Sequence, residues 1–365
     1  MVHEDPSTEA TQKLPKERMF RKKSNETLIL GIESSCDETA AAVVADSRKI
    51  LSNVVYSQEV EHRSFSGVVP EVAARAHLER IPEVVTRALA DAAIGLSDLG
   101  AVAAAAGPGL IGGLIVGATF TKAMAMSLEV PFIAVNHIEA HALCVRLTDP
   151  VDFPYLLLLI SGGHCQICLV HSAIKFEVLG QTLDDSPGEA FDKVAKMMSL
   201  GYPGGPSIEK LALGGNAHRF RLPRPLCHKK TNDFSFSGLK TAVRLLIEKH
   251  ENAFNEQDMA DICASFQHTI SEILVHKVNG AIECCQSKNV VPGTLVASGG
   301  VAANRAIRTA LADLGRRHGM RFVAPPPHLC TDNGAMIAWN GLERFRLGLV
   351  NQLDFSPRPR WPLGS

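Results

Sequence analysis

The stretch "YLLLLISGGHCQICLV" (155–170) is an apolar run, a Gly-Gly-His turn and a second apolar run. Runs of that length bounded by turn residues read as buried strands. The same order opens the chain, where "TLILGIESS" (27–35) and "AAAVVAD" (40–46) flank the polar turn Cys36-Asp37-Glu38-Thr39 as a hairpin. After the first unit come an amphipathic helix from Pro70 to about Ala92, a strand at 101–106, a Gly-rich turn, a helix over 110–127 and the strand "PFIAV" (131–135). After the second come a strand near 175–179 and, late in the chain, "GTLVASGGVAANRAIRTAL" (293–311), again strand, Gly turn and helix. Repetition of this kind predicts an internal duplication into two α/β lobes with a cleft between them. Ligands in such sheets sit at strand C-termini and helix N-termini. The expected division is a disordered leader over 1–26, one lobe over 27–150 and a second over 151–330, with the helix from about 331 returning to the first lobe.

Bulk composition narrows the function classes. The 365 residues carry 46% hydrophobic and 21% charged side chains and a net charge of −1. No global basic field advertises nucleic acid, so an RNA site must be a local patch. Nine cysteines, an odd number, suit a reducing compartment better than a disulfide framework. Cys165 and Cys168 form a C-x-x-C on a strand, where residues three apart face opposite sides, so they read as buried strand cysteines. The leader holds six Lys/Arg against five Asp/Glu, too acidic for a typical transit peptide. Residues 101–121 have no charge and are long enough to cross a bilayer, but six Gly/Pro residues interrupt them. A strand, a tight turn and a buried helix describe them better, so no membrane partner is expected.

"HIEAH" (137–141) places two histidines on one helix face. The zinc-protease pattern needs a glutamate directly after the first histidine. Here that position is Ile138, and at ~100° per residue Glu139 points about 200° from His137. The pair can chelate, or it can be two core-edge histidines; the protease base is missing. Thr331 is a plausible N-cap for the last helix, which would put Asp332 at a helix start, where a carboxylate caps or binds metal. Three Gly-Gly turns, "SGGH" (161–164), "YPGGP" (202–206) and "SGGVAAN" (298–304), argue for a nucleotide-like anion. "GPGLIG" (107–112) matches a dinucleotide fingerprint formally, but the next strand ends in Val135-Asn136-His137 and lacks the ribose-binding acid. No Walker lysine motif occurs. "SCDETA" (35–40) and "LDDSPGEAFDK" (183–193) collect acids in loops, as ligands or as solvated turns. "HRFRLPRPLCHKK" (218–230) is a basic loop that either tracks a phosphate backbone or is merely solvated.

Assembled in order, "GIESSCDETA", "SGVVPEVAARAH", "GPGLIGGLIVG", "HIEAH", "LISGGH", "GEAFDK", "YPGGP", "DFSFSGLKT", "SGGVAAN" and "CTDNGAMIA" closely resemble the tRNA N6-threonylcarbamoyladenosine transferases, once named for a supposed O-sialoglycoprotein endopeptidase. The match runs from about residue 28 to 348. The resemblance implies two duplicated RNase-H-like lobes of the acetate kinase/actin/Hsp70 superfold with an interlobe cleft. It also implies one divalent metal ion per subunit, iron or zinc, on His137, His141 and Asp332. Leu159, Ile160, Ser161, Gly162, Gly163, Asp192, Gly205, Glu209 and Asn304 would hold threonylcarbamoyl-AMP, made by a separate synthase. The implied reaction is attack by N6 of adenosine-37, in tRNAs reading ANN codons, on the carbamoyl carbon, with AMP leaving. Asp37 is the candidate for orienting or deprotonating that amine.

Two departures stand out. Ser186-Pro187 replaces a pair of alanines common in the family, and Asn136 stands where many members have a further histidine, so no fourth ligand is assumed there. "AMIAWNG" resembles the organellar members, which with the leader favours a mitochondrial homodimer over a bacterial cytoplasmic protein. The competing functions are a small-molecule kinase or ATPase of the same superfold, and a non-catalytic partner with a structural metal. A kinase would hold Mg²⁺ on carboxylates and water, whereas His-His-Asp suits a softer ion. Structural zinc sites are usually closed four-ligand sets, and only three ligands are apparent.

Overall fold

The structure, a computed structural model, describes residues 26–65, 67–249 and 255–364; apart from Glu26, the expected leader lies outside them. In chain order the elements begin β1 Leu28–Glu33, β2 Glu38–Ala45, β3 Ile50–Ser57, α1 Glu59–His62, α2 Pro70–Asp91, β4 Leu99–Gly107, α3 Ile111–Leu128, β5 Phe132–Asn136, α4 His137–Leu143 and α5 Val145–Thr148. They continue β6 Tyr155–Ile160, β7 Cys165–Ser172, β8 Lys175–Gln181, α6 Pro187–Met197, α7 Gly204–Ala212, α8 Ser237–Lys249 and α9 Glu256–Ser287. Last come β9 Thr294–Ser298, α10 Arg305–Arg317, β10 Arg321–Val323, α11 Pro327–Cys330 and α12 Gly334–Arg346. The chain forms two compact units, one of the described residues up to Leu147 with Asp332–Leu363, the other of Thr148–Thr331.

In the first unit the strand order is β3-β2-β1-β4-β5. β1 pairs antiparallel with β2 and parallel with β4, and β4 pairs parallel with β5. Every residue of β1 is buried, because helices cover both faces and a strand so placed must be apolar throughout. Leu30 and Ile32 join a core with Ile81, Val84 and Val85 of α2 and Ala125 of α3. Ile29, Gly31 and Glu33 alternate onto the face that carries α12. The approach of α12 is close: a Cβ on Gly31 would lie 2.2 Å from Ala338 N, and one on Gly334 2.5 Å from Ala42 N. α3 buries one stripe, Gly113, Leu114, Gly117, Ala118, Thr121 and Ala125, while Ile111, Ile115 and Met126 on its other side are exposed, so the "buried helix" is only partly buried and is apolar on both sides; its length and composition alone would also suit a membrane. β3, which the sequence reading passed over, extends the hairpin to a three-stranded meander.

The second unit repeats the arrangement. Its order β10-β9-β6-β7-β8, read from the other edge, runs hairpin partner, central strand and parallel neighbour as in the first unit. β6 is antiparallel to β7 and parallel to β9, and β7 is antiparallel to β8. The duplication expected from residues 27–46 and 155–170 is therefore real. One core joins Leu156, Leu158 and Ile160 to Phe191, Phe234, Phe236, Phe266 and Ile270. Cys165 and Cys168 are both buried in β7, and all nine cysteines are free thiols.

Candidate functional site

β5 runs straight into α4, so the turn between them must satisfy the helix's first N–H groups within one residue. Asn136 does so: its side-chain oxygen accepts from Ile138 N at 2.9 Å and Glu139 N at 3.2 Å. Its amide nitrogen donates to Trp361 O at 3.2 Å. A residue committed in this way is a cap, which accounts for Asn136 without a ligand role. His137 and His141 then project from one face of α4, ring centroids 4.7 Å apart and nearly perpendicular.

The opposing carboxylate comes from the segment before α12. Asn333, not Thr331, caps that helix, accepting from Met336 N at 3.0 Å, which corrects the expected cap. Asp332 thereby lies just outside the helix, with Oδ1 3.0 Å from His141 Nε2 and 3.5 Å from His137 Nε2. One ion pair, Arg344 with Glu139 at 3.5 Å, ties α12 to α4, and a second, Glu343 with Arg146 at 2.9 Å, ties α12 to α5. Glu139 thus faces an arginine on α12, away from the imidazoles.

Glu33 was not singled out in the sequence, yet it completes this cluster. Its Oε2 lies 2.9 Å from His137 Nδ1, while Oε1 accepts from Ser35 N at 2.6 Å. With Nδ1 facing a carboxylate that holds its proton, loss of the other proton would leave Nε2, on the Asp332 side, as the nitrogen free to bind a metal. Ser35 Oγ lies 3.1 Å from the same Nδ1. The loop behind is held at its backbone. Leu110 N donates to Ser35 O, Gln58 N to Asp37 O, and His77 Nε2 to Cys36 O. Burial lowers the His77 pKa, consistent with a neutral ring that accepts from Thr39 Oγ1 at Nδ1. Gly109 belongs to the same packing, since a Cβ there would lie 2.5 Å from Ser35 O; the "GPGLIG" glycines serve close backbone approach.

The neighbouring carboxylates favour positive charge at this cluster. Burial pushes the Glu38 carboxyl up to about 9, with Asp332 and Asp37 adding to the rise. Burial alone would depress His137, but the Asp332 and Glu33 carboxylates outweigh it and hold the imidazole at about 9. Asp37 and Glu38 are half-buried beside these groups. The ligand atoms of His137, His141 and Asp332 all lie within 4.8 Å of one another, so the three could hold one metal ion.

In the second unit the "SGGH" and "SGGVAAN" turns follow the C-terminal ends of the paired strands β6 and β9, and "YPGGP" leads into α7, where Gly204 packs on α6. Leu159 and Ile160 are buried strand residues paired with Gln166 and Cys165, and Leu159 also pairs with Ser298. Ser161 N donates to His164 O at 2.8 Å, closing the "SGGH" turn. Ser186 caps α6, accepting from Glu189 N at 3.1 Å, and its hydroxyl donates to Gly162 O. Pro187 at the first helical position completes a favourable start, the structural outcome of the Ser-Pro departure. A Cβ on Gly188 would lie 2.6 Å from Ser161 O, and one on Gly299 (φ +92°) 2.4 Å from Ile160 O. Gly162, Gly163 and Gly205 face open space.

Three other expected binding residues organise helix starts here. Asp192 accepts from Gly204 N at 2.8 Å, Glu209 from Arg305 N at 2.7 Å, and Asn304 caps α10 through Ile307 N at 3.1 Å. The acids of the 183–193 loop are occupied structurally. Asp184 accepts from Phe236 N and Ser237 N at the start of α8, and Asp185 pairs with Lys193 at 3.0 Å and Lys240 at 2.6 Å.

Comparison with known proteins bears on this geometry. The family model described as tRNA N6-adenosine threonylcarbamoyltransferase matches residues 49–339. A protein of that name from Paramagnetospirillum magneticum is 55% identical over 336 residues, covering 92% of this chain and 97% of its own. The chain belongs to the tRNA N6-adenosine threonylcarbamoyltransferase family. A Rhodospirillum rubrum member is likewise 55% identical over 341 residues, covering 92% of this chain and 94% of its own. Among solved structures, HypF of T. kodakarensis covers 88% of this chain and 48% of its own at a TM-score of 0.57 and 16% identity. Component A of the Acidaminococcus fermentans (R)-2-hydroxyglutaryl-CoA dehydratase covers 88% and 99% at 0.51 and 14%. At such identities the likeness shows the fold alone, the two-lobed superfold expected from the resemblance. Membership in the threonylcarbamoyltransferase family makes the chain a tRNA-modifying transferase. The relatives named here are bacterial, so the mitochondrial placement receives no support from them.

Proposed function

We propose that this chain transfers the threonylcarbamoyl group of threonylcarbamoyl-AMP to N6 of adenosine-37 in tRNAs reading ANN codons, releasing AMP. The observation that carries the reading is the convergence of His137, His141 and Asp332 in a chain of this family. Two imidazoles and one carboxylate suit a single iron or zinc ion and leave coordination positions open. When bound, such an ion supplies a Lewis acid for the carbamoyl carbonyl or an adenylate phosphate oxygen.

The chain's own residues do the rest. Glu33 keeps the His137 proton on Nδ1. Leu159, Ile160, Ser161, Gly162, Gly163 and Gly205 present backbone to the adenylate, and Asp192, Glu209 and Asn304 fix the helix starts around it. Asp37 orients the N6 amine and accepts its proton as the N–C bond forms. The bond from the carbamoyl carbon to the phosphate oxygen breaks, and AMP departs with that electron pair. The adenylate comes from a separate synthase, and the enzyme works as a homodimer without a membrane partner. The bacterial sources of the relatives favour the cytoplasm as its location.

The test supplies purified chain with threonylcarbamoyl-AMP and unmodified ANN-decoding tRNA and looks for the modified nucleoside. His141→Ala should abolish product while the melting curve stays cooperative. Full activity in that variant would remove the metal from the mechanism.

A further inference from the structure

The basic loop at 218–230 has no part in the chemistry above. It carries Arg219, Arg221, Arg224, Lys229 and Lys230 without an Asp or Glu, in a chain whose net charge is −1. Part of that charge is spent on fixing the loop. Arg219 pairs with Asp258 at 2.5 Å and Asp261 at 2.6 Å, and Arg224 pairs with Glu272 at 2.8 Å. Lys277, 1% exposed, donates to Leu226 O at 2.8 Å and Thr231 O at 2.6 Å, closing the loop's far end from beneath. The remaining cations, Arg221, Lys229 and Lys230, are exposed and have no ion-pair partner among the described residues. They are therefore presented to solvent by a loop that is already ordered.

Between this loop and α8 lies a groove of about 380 Å³. Phe220, half-buried with the Arg219 guanidinium 5.2 Å from its ring centre, lines it with Leu222, Leu246 and the exposed Leu245, and the exposed Arg221 and Lys249 add a cation from each side. An apolar groove flanked by cations suits a nucleotide, the base against the apolar surface and the phosphates on the charges.

We infer that this groove is an RNA-docking surface, which seats one unpaired base on its apolar lining beside the exposed Leu245, with the adjoining phosphates on Arg221 and Lys249. Lys229 and Lys230 continue the phosphate track along the loop. The inference rests on the proposed tRNA substrate and adds a place where the tRNA is held away from the reacting adenosine.

The test compares the full chain with Arg221→Gln/Lys249→Gln, both exposed positions, by fluorescence anisotropy of unmodified tRNA over a salt series. Loss of two phosphate contacts should make the slope of log K against log salt shallower by about 1.4, at about 0.7 per contact with single-stranded RNA. The Michaelis constant for tRNA should rise while kcat holds. An unchanged affinity and slope in the variant, with wild-type binding and product intact, overturns this surface alone. Failure of the wild-type chain to bind tRNA and to form product overturns the tRNA reading as well. Binding of the wild type to phosphatidylserine vesicles, lost in the variant while tRNA binding stays, would overturn RNA as the occupant.

Discussion

Glu33 Oε2 lies 2.9 Å from His137 Nδ1, at the end of a strand buried along its whole length. A carboxylate behind a metal-binding imidazole fixes its tautomer and raises its basicity. Glu33→Gln keeps the shape but offers one acceptor where Ser35 N and His137 Nδ1 both donate. We expect metal affinity to fall about 10–100-fold, with stability reduced by about 1–3 kcal/mol for the unsatisfied buried donor. Chelator competition measures the first and denaturant unfolding the second. Wild-type affinity in the variant would mean that something other than Glu33 orients the ring.

The pH behaviour of the metal-free chain follows from two raised groups. His137 is held at about 9 against an unfolded value near 6.5, and burial pushes Glu38 to about 9 against 4.5. The native state then binds more protons than the unfolded one, so the contribution is complete below the unfolded values. It is lost as pH rises toward about 9. Thermal melts of metal-free protein should therefore weaken from about pH 5, where Glu38 begins to contribute, to about pH 9, most steeply above about pH 6.5, where His137 adds to it. Metal replaces the His137 proton, so affinity should tighten by up to about tenfold per pH unit in the same window. Flat profiles in both measurements would contradict this account of the cluster's charge.

Two glycines in one cradle should answer substitution differently. A Cβ on Gly163 meets nothing within 4 Å, whereas one on Gly188 would lie 2.6 Å from Ser161 O. Gly163→Ala should leave stability within about 0.5 kcal/mol and raise the Michaelis constant for the adenylate. Gly188→Ala should cost about 1–3 kcal/mol through overpacking against backbone. Equal melting temperatures for the two variants would contradict the packing described.

Asn136 offers a test of the strand-to-helix junction. Replacing it with alanine removes an acceptor shared by two helix N–H groups and should cost about 1 kcal/mol. Because α4 carries both imidazoles, metal affinity should fall as well. Retention of both properties in Asn136→Ala would show that the cap is dispensable.

The sheets were legible because their central strands are apolar runs, and the duplication was legible because those runs recur with the same turn chemistry. β3 was not, since Ser52, Asn53 and Ser57 interrupt it and an edge strand needs only one buried face. His137, His141 and Asp332 could be named from motif resemblance, but only the fold shows that Asn333 takes the cap and leaves Asp332 beside the imidazoles. Glu33 was hidden because a carboxylate ending an apolar strand looks like the first residue of a polar turn. The reverse happened at Asp184 and Asp185, whose loop position suggested chemistry and whose partners are a helix start and two lysines.

The most direct measurement titrates chelator-stripped chain with iron or zinc while following threonylcarbamoyladenosine formation, for the wild type and for Asp332→Ala. Product from the wild type should climb to a plateau at one ion per chain, and the variant should stay inactive at every metal concentration. Full turnover by the stripped wild type, or wild-type binding and turnover by Asp332→Ala, would contradict a catalytic ion held by His137, His141 and Asp332.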